Sequence, residues 1–510
     1  MSTFHGLEMA RQALASQQTG LYITGHNISN INTEGYSRQR VNFETLSPYP
    51  SASRNRPQIP GQLGTGVRAG TIERMRDQFL DARYRTQNSE TSYWQAKSTA
   101  LSRMEGLMNE ISGGDGLNKI FDDFWQSLQD LSTNAENSGA RSVVGEKAKT
   151  LAETFNYIAN SLETIRTDLK SQIGNESEGK IGDANSLLRQ INALNKEIAE
   201  IEPHGMLPND LYDRRDNLID QLSSIVDIKV TYKKSATSSL DIADGIAEIE
   251  LVDDAGMPIG VQLLSADDKN LLDDALGKFS VDFDGTKGVS TVNFGKPGAE
   301  ASFDFMKVSG SLKGLIENYG YMEGGNVKGS YPDMLANLDK MAVEFAKAFN
   351  DAHGKGYDLS GNHPAFDFFT GDSAKNIGVN QSVIDNPSLI AASEDGTTGN
   401  GKNALALGKI ITDTLPGDTL GKDTSVKGFY QSLIGKLAVT TKEANSKLEN
   451  TTYQQNSIQN DRLSVSAVSL DDEVTNLLKF QHAYNAAARS MTTMDEMLDK
   501  VINSMGLVGR

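Results

Sequence analysis

The chain has 510 residues, a formal net charge of −18 and no cysteine. The acidic balance argues against nucleic acid and anionic membrane as partners, the missing thiols remove disulfides and cysteine chemistry, and no apolar run approaches the ~20 residues of a membrane span. Aromatic residues make up only 7% and glycines number 47, which points to several elongated modules rather than one dense core.

The N-terminal run MSTFHGLEMARQ lacks a charged n-region and an apolar h-region, so no cleavable signal peptide is expected. Leu7, Leu14, Leu21 and Ile28 recur at heptad spacing, with Phe4, Ala10, Gln17, Thr24 and Ile31 beside them, and no proline occurs before Pro48. That pattern predicts a long amphipathic helix seeking a helical partner. Asn27, Asn30 and Asn32 then compete for backbone hydrogen bonds, and Glu34-Gly35 makes a turn. Residues 41–70, with Pro48, Pro50, Pro57 and Pro60, read as an extended, loop-rich connector.

Helical spacing returns over 71–111, and SGGDG at 112–116 stops it. Further helices are predicted over 117–131, 140–173, 181–201 and 210–226, with Pro203 and Pro208 between the last two. Near Asp227 the texture changes to short β-prone runs such as IKVTY, GIAEIELVD and GKFSVDFDG, parted by glycine and aspartate. Helices resume over 310–322 and 331–353, residues 354–423 are rich in glycine, asparagine and aspartate, and 425–465 is helical again.

The last stretch, Ser469 to Arg510, mirrors the first. Leu470, Val474, Leu477, Gln481, Tyr484, Ala488, Met491, Met494, Leu498, Val501 and Met505 follow a three–four spacing with one slip, and Leu478 lies beside them. Ser469 is the expected N-cap, Asp471, Asp472 and Glu473 sit in the positive first turn, and Gly506 and Gly509 end the element. At about 1.5 Å per residue such a helix runs some ~54 Å and needs a partner of similar length. The two terminal stripes therefore read as halves of one coiled coil.

The fold class expected is multidomain α+β: a terminal coiled coil from 1–40 with 466–510, a helical rod-like domain from 41–227 with 309–353 and 424–465, and a β-rich outer domain at 228–308. Residues 354–423 are expected to be a loop-rich extension of that outer domain, with a small domain of their own as the alternative, so that 228–423 as a whole reads as an insertion between helices.

Chemical motifs are weak. GTTGNGKN at 396–403 fits G-x-x-x-x-G-K, but Asn403 replaces the hydroxyl that would hold Mg²⁺ and no β-prone strand precedes it. DFDG at 282–285 lacks the spacing and terminal glutamate of a calcium loop. The six histidines are dispersed, with no H-E-x-x-H. No catalytic residue, cofactor or metal site is expected.

GHNISNINTEGYSRQ at 25–39 resembles the N-terminal signature of the bacterial flagellar axial proteins, the rod, hook and hook-associated components, carried here by Asn27, Asn30, Asn32, Gly35 and Tyr36, with Ser29 where alanine is commoner. The C-terminal run resembles their shared terminus at Phe480, Gln481, Ala483, Tyr484 and Arg489. Tyr36-Ser37-Arg38-Gln39, the segment GTGVRAGTIERMRDQFLDARYR and the long helical block resemble the hook-associated branch. The resemblance implies a non-enzymatic junction adaptor between hook and filament, exported by the flagellar type III apparatus to the cell exterior and built into a tubular ring of identical subunits. Implied partners are other copies of the chain, the hook protein, a second junction protein and an export chaperone that binds the C-terminal region. Residues expected to serve assembly or chaperone binding are Leu7, Leu14, Leu21, Ile28, Leu470, Val474, Leu477, Leu478, Tyr484, Met491, Leu498 and Val501. The alternative is another hook-like axial protein whose inserted domain is enzymatic or adhesive.

Overall fold

The computed structural model describes residues 4–504 apart from 52, 55, 111–115, 267–275, 286, 297 and 416–419. The expected helix-ending residues Ile111, Gly506 and Gly509, the last stripe position Met505 and residues 112–115 of SGGDG lie outside the described residues. The architecture is multidomain α+β, with long helices at both ends of the chain and strands inserted between helices.

Helix α1 (Phe4–Ser29) leads through a turn into a two-stranded hairpin, β1 (Gln39–Thr45) and β2 (Val67–Arg74). This departs from the expected connector and from a helix beginning at residue 71. Val41 and Ile72 face each other across the pair, while the four prolines fall between the strands, where no ladder amide is needed.

A helical body follows: α2 (Gln78–Glu110), α3 (Leu117–Thr133), α4 (Ser138–Ile173), α5 (Gly179–Ile201) and α6 (Asn209–Ser223). On α3, Phe121, Phe124, Leu128 and Leu131 recur at helical spacing and are fully buried, which fixes its inward face. Helix α4 starts where Asn137 accepts hydrogen bonds from the amides of Gly139 and Ala140.

The β-rich insert holds two sheets. Strands β3 (Ile228–Lys233), β4 (Ile246–Val252) and β5 (Pro258–Leu264) form one antiparallel sheet in that order. Strands β6 (Lys278–Phe283), β7 (Val289–Lys296) and β8 (Ala299–Phe303) form the second, with β7 central. Helix α7 (Ser311–Tyr319) stops short of the expected residue 322, because Gly320 turns the chain. Tyr321–Glu323 and Asn326–Lys328 then form a small hairpin, β9 and β10, and Tyr321 pairs with Val289 of β7.

After α8 (Ser330–His353) the structure corrects the reading of residues 354–423. They do not extend the β-rich sheets; they complete the helical body. Phe369, in the two-residue strand β11 (Phe369–Thr370), lies with its ring 5.1 Å from Phe349, 5.2 Å from Phe345 and 6.2 Å from Phe124. Its partner strand β12 (Gly378–Val379) lies against α4. After the short α9 (Gln381–Asp385), helix α10 (Lys402–Thr412) lies against α3 and α8. Half-buried asparagines splice the segment in: Asn350 exchanges two 2.8 Å bonds with the Phe369 backbone, and Asn156 donates to the carbonyls of Ala374 and Ile377. A polar, glycine-rich texture hid this, because the segment is held by isolated apolar anchors rather than by a periodic stripe.

Helix α11 (Val426–Ser466), capped by Ser425, runs back along α2, and α12 (Leu470–Ser504) returns to α1. One continuous hydrophobic core joins α2–α8, α10, α11, the sheets and the Phe368–Phe369 cluster. The terminal pair α1–α12 stands outside it.

Candidate assembly interface

Helices α1 and α12 pack antiparallel. A Cβ added at Gly6 would lie 3.0 Å from Met494 Sδ, and one added at Gly20 would lie 3.1 Å from the Phe480 ring. Small residues, not the heptad leucines, thus mark the closest approach. Leu7, Leu14, Leu21 and Ile28 are only half-buried, whereas Ala10, Ser16, Gly20, Ile23, Thr24 and Asn27 are buried. The reason is that α1 is shared: its other side carries the hairpin, where Ser16 Oγ donates to the Val67 carbonyl at 3.2 Å.

On α12 the face towards α1 holds Glu473, Leu477, Phe480, Ala483, Met491, Met494 and Leu498. The expected single stripe is in fact two faces. Leu470, Val474 and Leu478 are 44–50% exposed, on a flank turned by about 100° from the seam, and Gln481 is exposed with them. Tyr484 is 36% exposed, and Val501 with Ile502 falls beyond the level of the first described residues of α1. A three–four spacing fits a narrow seam, but an α-helix of 3.6 residues per turn carries such a stripe around its axis. Arg489 is exposed.

The signature turn is a clamp. Asn27 Nδ2 donates to the Gln39 carbonyl at 2.8 Å and its Oδ1 accepts the Gln39 amide at 2.9 Å. The same oxygen accepts the Tyr36 hydroxyl at 2.7 Å. Burial, reinforced by Asp210, Asp213 and Glu473, raises the Tyr36 hydroxyl well above its ordinary range and keeps that proton in place. With it committed to Asn27, the His26 Nδ1–H donates to the Tyr36 oxygen at 2.9 Å. Asn30 binds the His26 carbonyl and accepts from Thr33, tightening the turn. Gly35 has φ +74°, which glycine adopts without strain, and a Cβ there would displace the Asn217 side chain from its 3.1 Å bond to the Glu34 carbonyl. Asn32 is exposed and turned away from the clamp.

Beneath the clamp lies a charge network that the sequence reading missed. Asp213, Asp216 and Asp220 share one face of α6. Arg74 binds Asp213 at 2.7 Å and Asp216 at 3.0 Å, and also reaches Asp244 of the β-rich insert. Arg85 binds Asp216 at 3.2 Å and Asp220 at 2.8 Å. Arg462 of α11 bridges Asp220 and Asp81, each at 2.6 Å. Arg76 completes the set on Asp81 at 2.7 Å. Burial opposes the Asp216 charge, but Arg76, Arg74 and Arg85 outweigh it and hold the carboxyl well below the usual carboxylate range. Burial likewise works against Arg85, yet Tyr232, Asp220 and Asp216 keep its guanidinium firmly protonated. The available signal was the three–four spacing of the α6 aspartates, which a solvent-facing helix would also show. Arg38 extends the tie to α12, binding the buried Glu473 at 2.7 Å, while its amide donates to the Ser466 carbonyl.

A cleft of about 730 Å³ opens between the signature turn, α6 and the α11–α12 corner, lined among others by Ile31, Asn32, Gln459 and Val468. The G-x-x-x-x-G-K run is built into the body: Asn403 is buried and donates to the Ala391 carbonyl at 2.6 Å, and a Cβ at Gly401 would meet the Ser132 carbonyl at 2.0 Å.

The family described as "Flagellar hook-associated protein FlgK helical domain" matches residues 101–369, and "Flagellar basal body rod FlgEFG protein C-terminal" matches 459–505. The chain is 45% identical to flagellar hook-associated protein 1 of Bacillus subtilis over 520 aligned positions, covering 100% of both chains. It is 24% identical to the Escherichia coli protein of the same name, covering 97% of this chain and 98% of the other. The solved flagellar hook junction protein FlgK of Burkholderia pseudomallei shares the fold, with a TM-score of 0.56 at 14% identity, over 76% of this chain and all of that one. A conserved-length relative at that identity, and a helical-domain family covering more than half of the residues, leave one assignment: the chain belongs to the flagellar hook-associated protein 1 family.

Proposed function

We propose that the chain is a structural component of the bacterial flagellum, a junction adaptor that joins hook to filament. In this reading the type III apparatus exports it largely unfolded, and it assembles as a ring with further copies of itself, between the hook protein and a second junction protein outside the cell. A cytoplasmic chaperone covers its C-terminal region before export. The observation that carries the reading is the flank of Leu470, Val474 and Leu478, exposed beside a seam that α1 already occupies. A contiguous apolar strip of this kind on a long helix is an interface awaiting neighbours. The charge network supports it, because its Asp213 accepts the Ser37 amide at 2.9 Å and Arg38 binds Glu473 of α12 at 2.7 Å, which ties the signature turn and the coil to the body.

The double substitution Val474→Asp with Leu478→Asp tests the reading. It should leave the monomer's melting unchanged, abolish chaperone capture in pull-downs, and leave bare hooks with filament protein shed into the medium. Lys500→Asp, on the exposed side, should do none of these. Normal filaments on the double variant would refute the proposal.

A further inference from the structure

The chain passes between the helical body and the β3–β5 sheet at a narrow neck. On the way out, the Asp227 amide donates to the Ser309 carbonyl at 2.8 Å; on the way back, the amides of Ser311 and Leu312 donate to the carbonyls of Ser224 and Ile225 at 3.0 and 3.2 Å. The Val252 amide, at the end of β4, donates to the Asp227 carbonyl at 3.3 Å, so three segments meet at one residue.

The Asp227 side chain is enclosed there. The residue is 3% exposed, and its Oδ1 has no hydrogen-bond partner among the described residues. The groups that face it are acidic: Glu90 from α2, and Asp253 and Asp254 from the β4–β5 turn. The nearby cation, Lys313 of α7, is committed to Asp254 at 3.0 Å, and Ser309 Oγ also donates to Asp254. Lys307 pairs with Asp304 at 3.3 Å. A carboxylate with no cation beside it and one oxygen without a donor disfavours its own charge in such a site. Burial pushes Asp227 up to about 7; the Ile228 amide pulls the other way, and Asp254, Asp253 and Glu90 add to the rise.

We propose that this neck is a proton-controlled seam: neutral Asp227 keeps the neck end of β3 and β4 closed on the helical body, and ionised Asp227 loosens that end. The far end of β4 is anchored separately, by Asn195 of α5, which exchanges bonds of 3.0 and 3.1 Å with the Ala247 backbone, so the effect falls on the neck end of the sheet, at Asp227 and Val252. The direction follows from linkage. The folded value lies above the unfolded one, so the added stability is complete below the unfolded carboxylate range and drains as pH rises towards 7, with no further change above it.

Amide hydrogen exchange of the full chain between pH 5 and pH 8, referred to unstructured-peptide rates, tests this. Protection at Asp227 and Val252 should fall by about tenfold or more between pH 5 and pH 7, then level off. Asp227→Asn should remove the dependence and keep protection high at pH 8. Glu90→Gln with Asp253→Asn, two changes away from the neck's hydrogen bonds, should move the levelling point to lower pH. That variant also decides the matter if Asp227→Asn does not fold. Flat protection in the parent chain, an unchanged slope in Asp227→Asn, or an unmoved levelling point would each overturn the proposal.

Discussion

Asn27 and Gln39 are bonded reciprocally, side-chain amide to carbonyl at 2.8 Å and backbone amide to side-chain oxygen at 2.9 Å. One residue thereby imitates a strand partner and starts β1 against the last turn of α1. Asn27→Ala takes the partner from the Gln39 amide and carbonyl in a buried place and leaves the Tyr36 hydroxyl only His26, at a cost of about 1–3 kcal/mol. Exchange protection over 39–45 should collapse while α3 and α4 keep theirs. Unchanged protection at Gln39 would mean that the hairpin is set by other contacts.

Asp216 is the centre of the charge network, its side chain only 2% exposed. Asp216→Ala removes the carboxylate shared by Arg74, Arg76 and Arg85, leaving them to Asp213, Asp244, Asp81 and Asp220, and removing one member of a buried ionic cluster costs up to about 3–5 kcal/mol. Because the folded carboxyl lies below its unfolded value, the stability it adds is present above the ordinary carboxylate range and is lost only as pH falls below it. Chemical denaturation of parent and variant at pH 7 should show the full difference, and at pH 3 a smaller one. A difference that is the same at both pH values would contradict this assignment.

Phe369 tests the placement of residues 354–423. It is 2% exposed amid Phe124, Phe345 and Phe349, so Phe369→Ala should destabilise the helical body by about 3–5 kcal/mol. Replacing 354–423 with a linker should unfold α3 and α8 together, whereas a linker for the β3–β8 region should spare them. Circular dichroism of the two deletions separates the cases.

His353 is fully buried, with Nε2 accepting the Ala391 amide at 3.1 Å, and burial lowers it to about 4. Its folded value lies below the unfolded one, so the neutral ring's contribution is present at pH 7 and drains as pH falls from about 6.5 to about 4, by roughly 2–3 kcal/mol. His353→Gln should flatten that part of the profile when denaturant unfolding is followed through α8. An identical slope in both proteins would show that other groups carry it.

Much of the layout was legible from one sequence because it rests on local periodicity. The helices carry three–four apolar spacing with caps such as Asn137 and Ser425, and strands β3 to β8 lie between glycine-rich turns, so most declare themselves within a short window; the β1–β2 hairpin, paired across a long proline-containing loop, did not. The signature residues Asn27, Gly35 and Tyr36 were legible as a group, though not as a clamp. What the sequence could not decide is which face meets which partner. Leu7 and Leu14 read as a seam, yet Gly6 and Gly20 hold it, because backbone approach is set by the bulk of Met494 and Phe480 on the other helix. Leu477 and Leu478 are neighbours in the chain, but only Leu477 turns towards α1. The Arg462–Asp220 bridge and the insertion of Phe369 among α3 and α8 join positions far apart along the chain, and nothing local distinguishes those residues from solvated charges or a loop phenylalanine. Periodicity determines an element and its apolar side; the match of shapes and charges between distant elements, which exists only once they are packed, determines the interface.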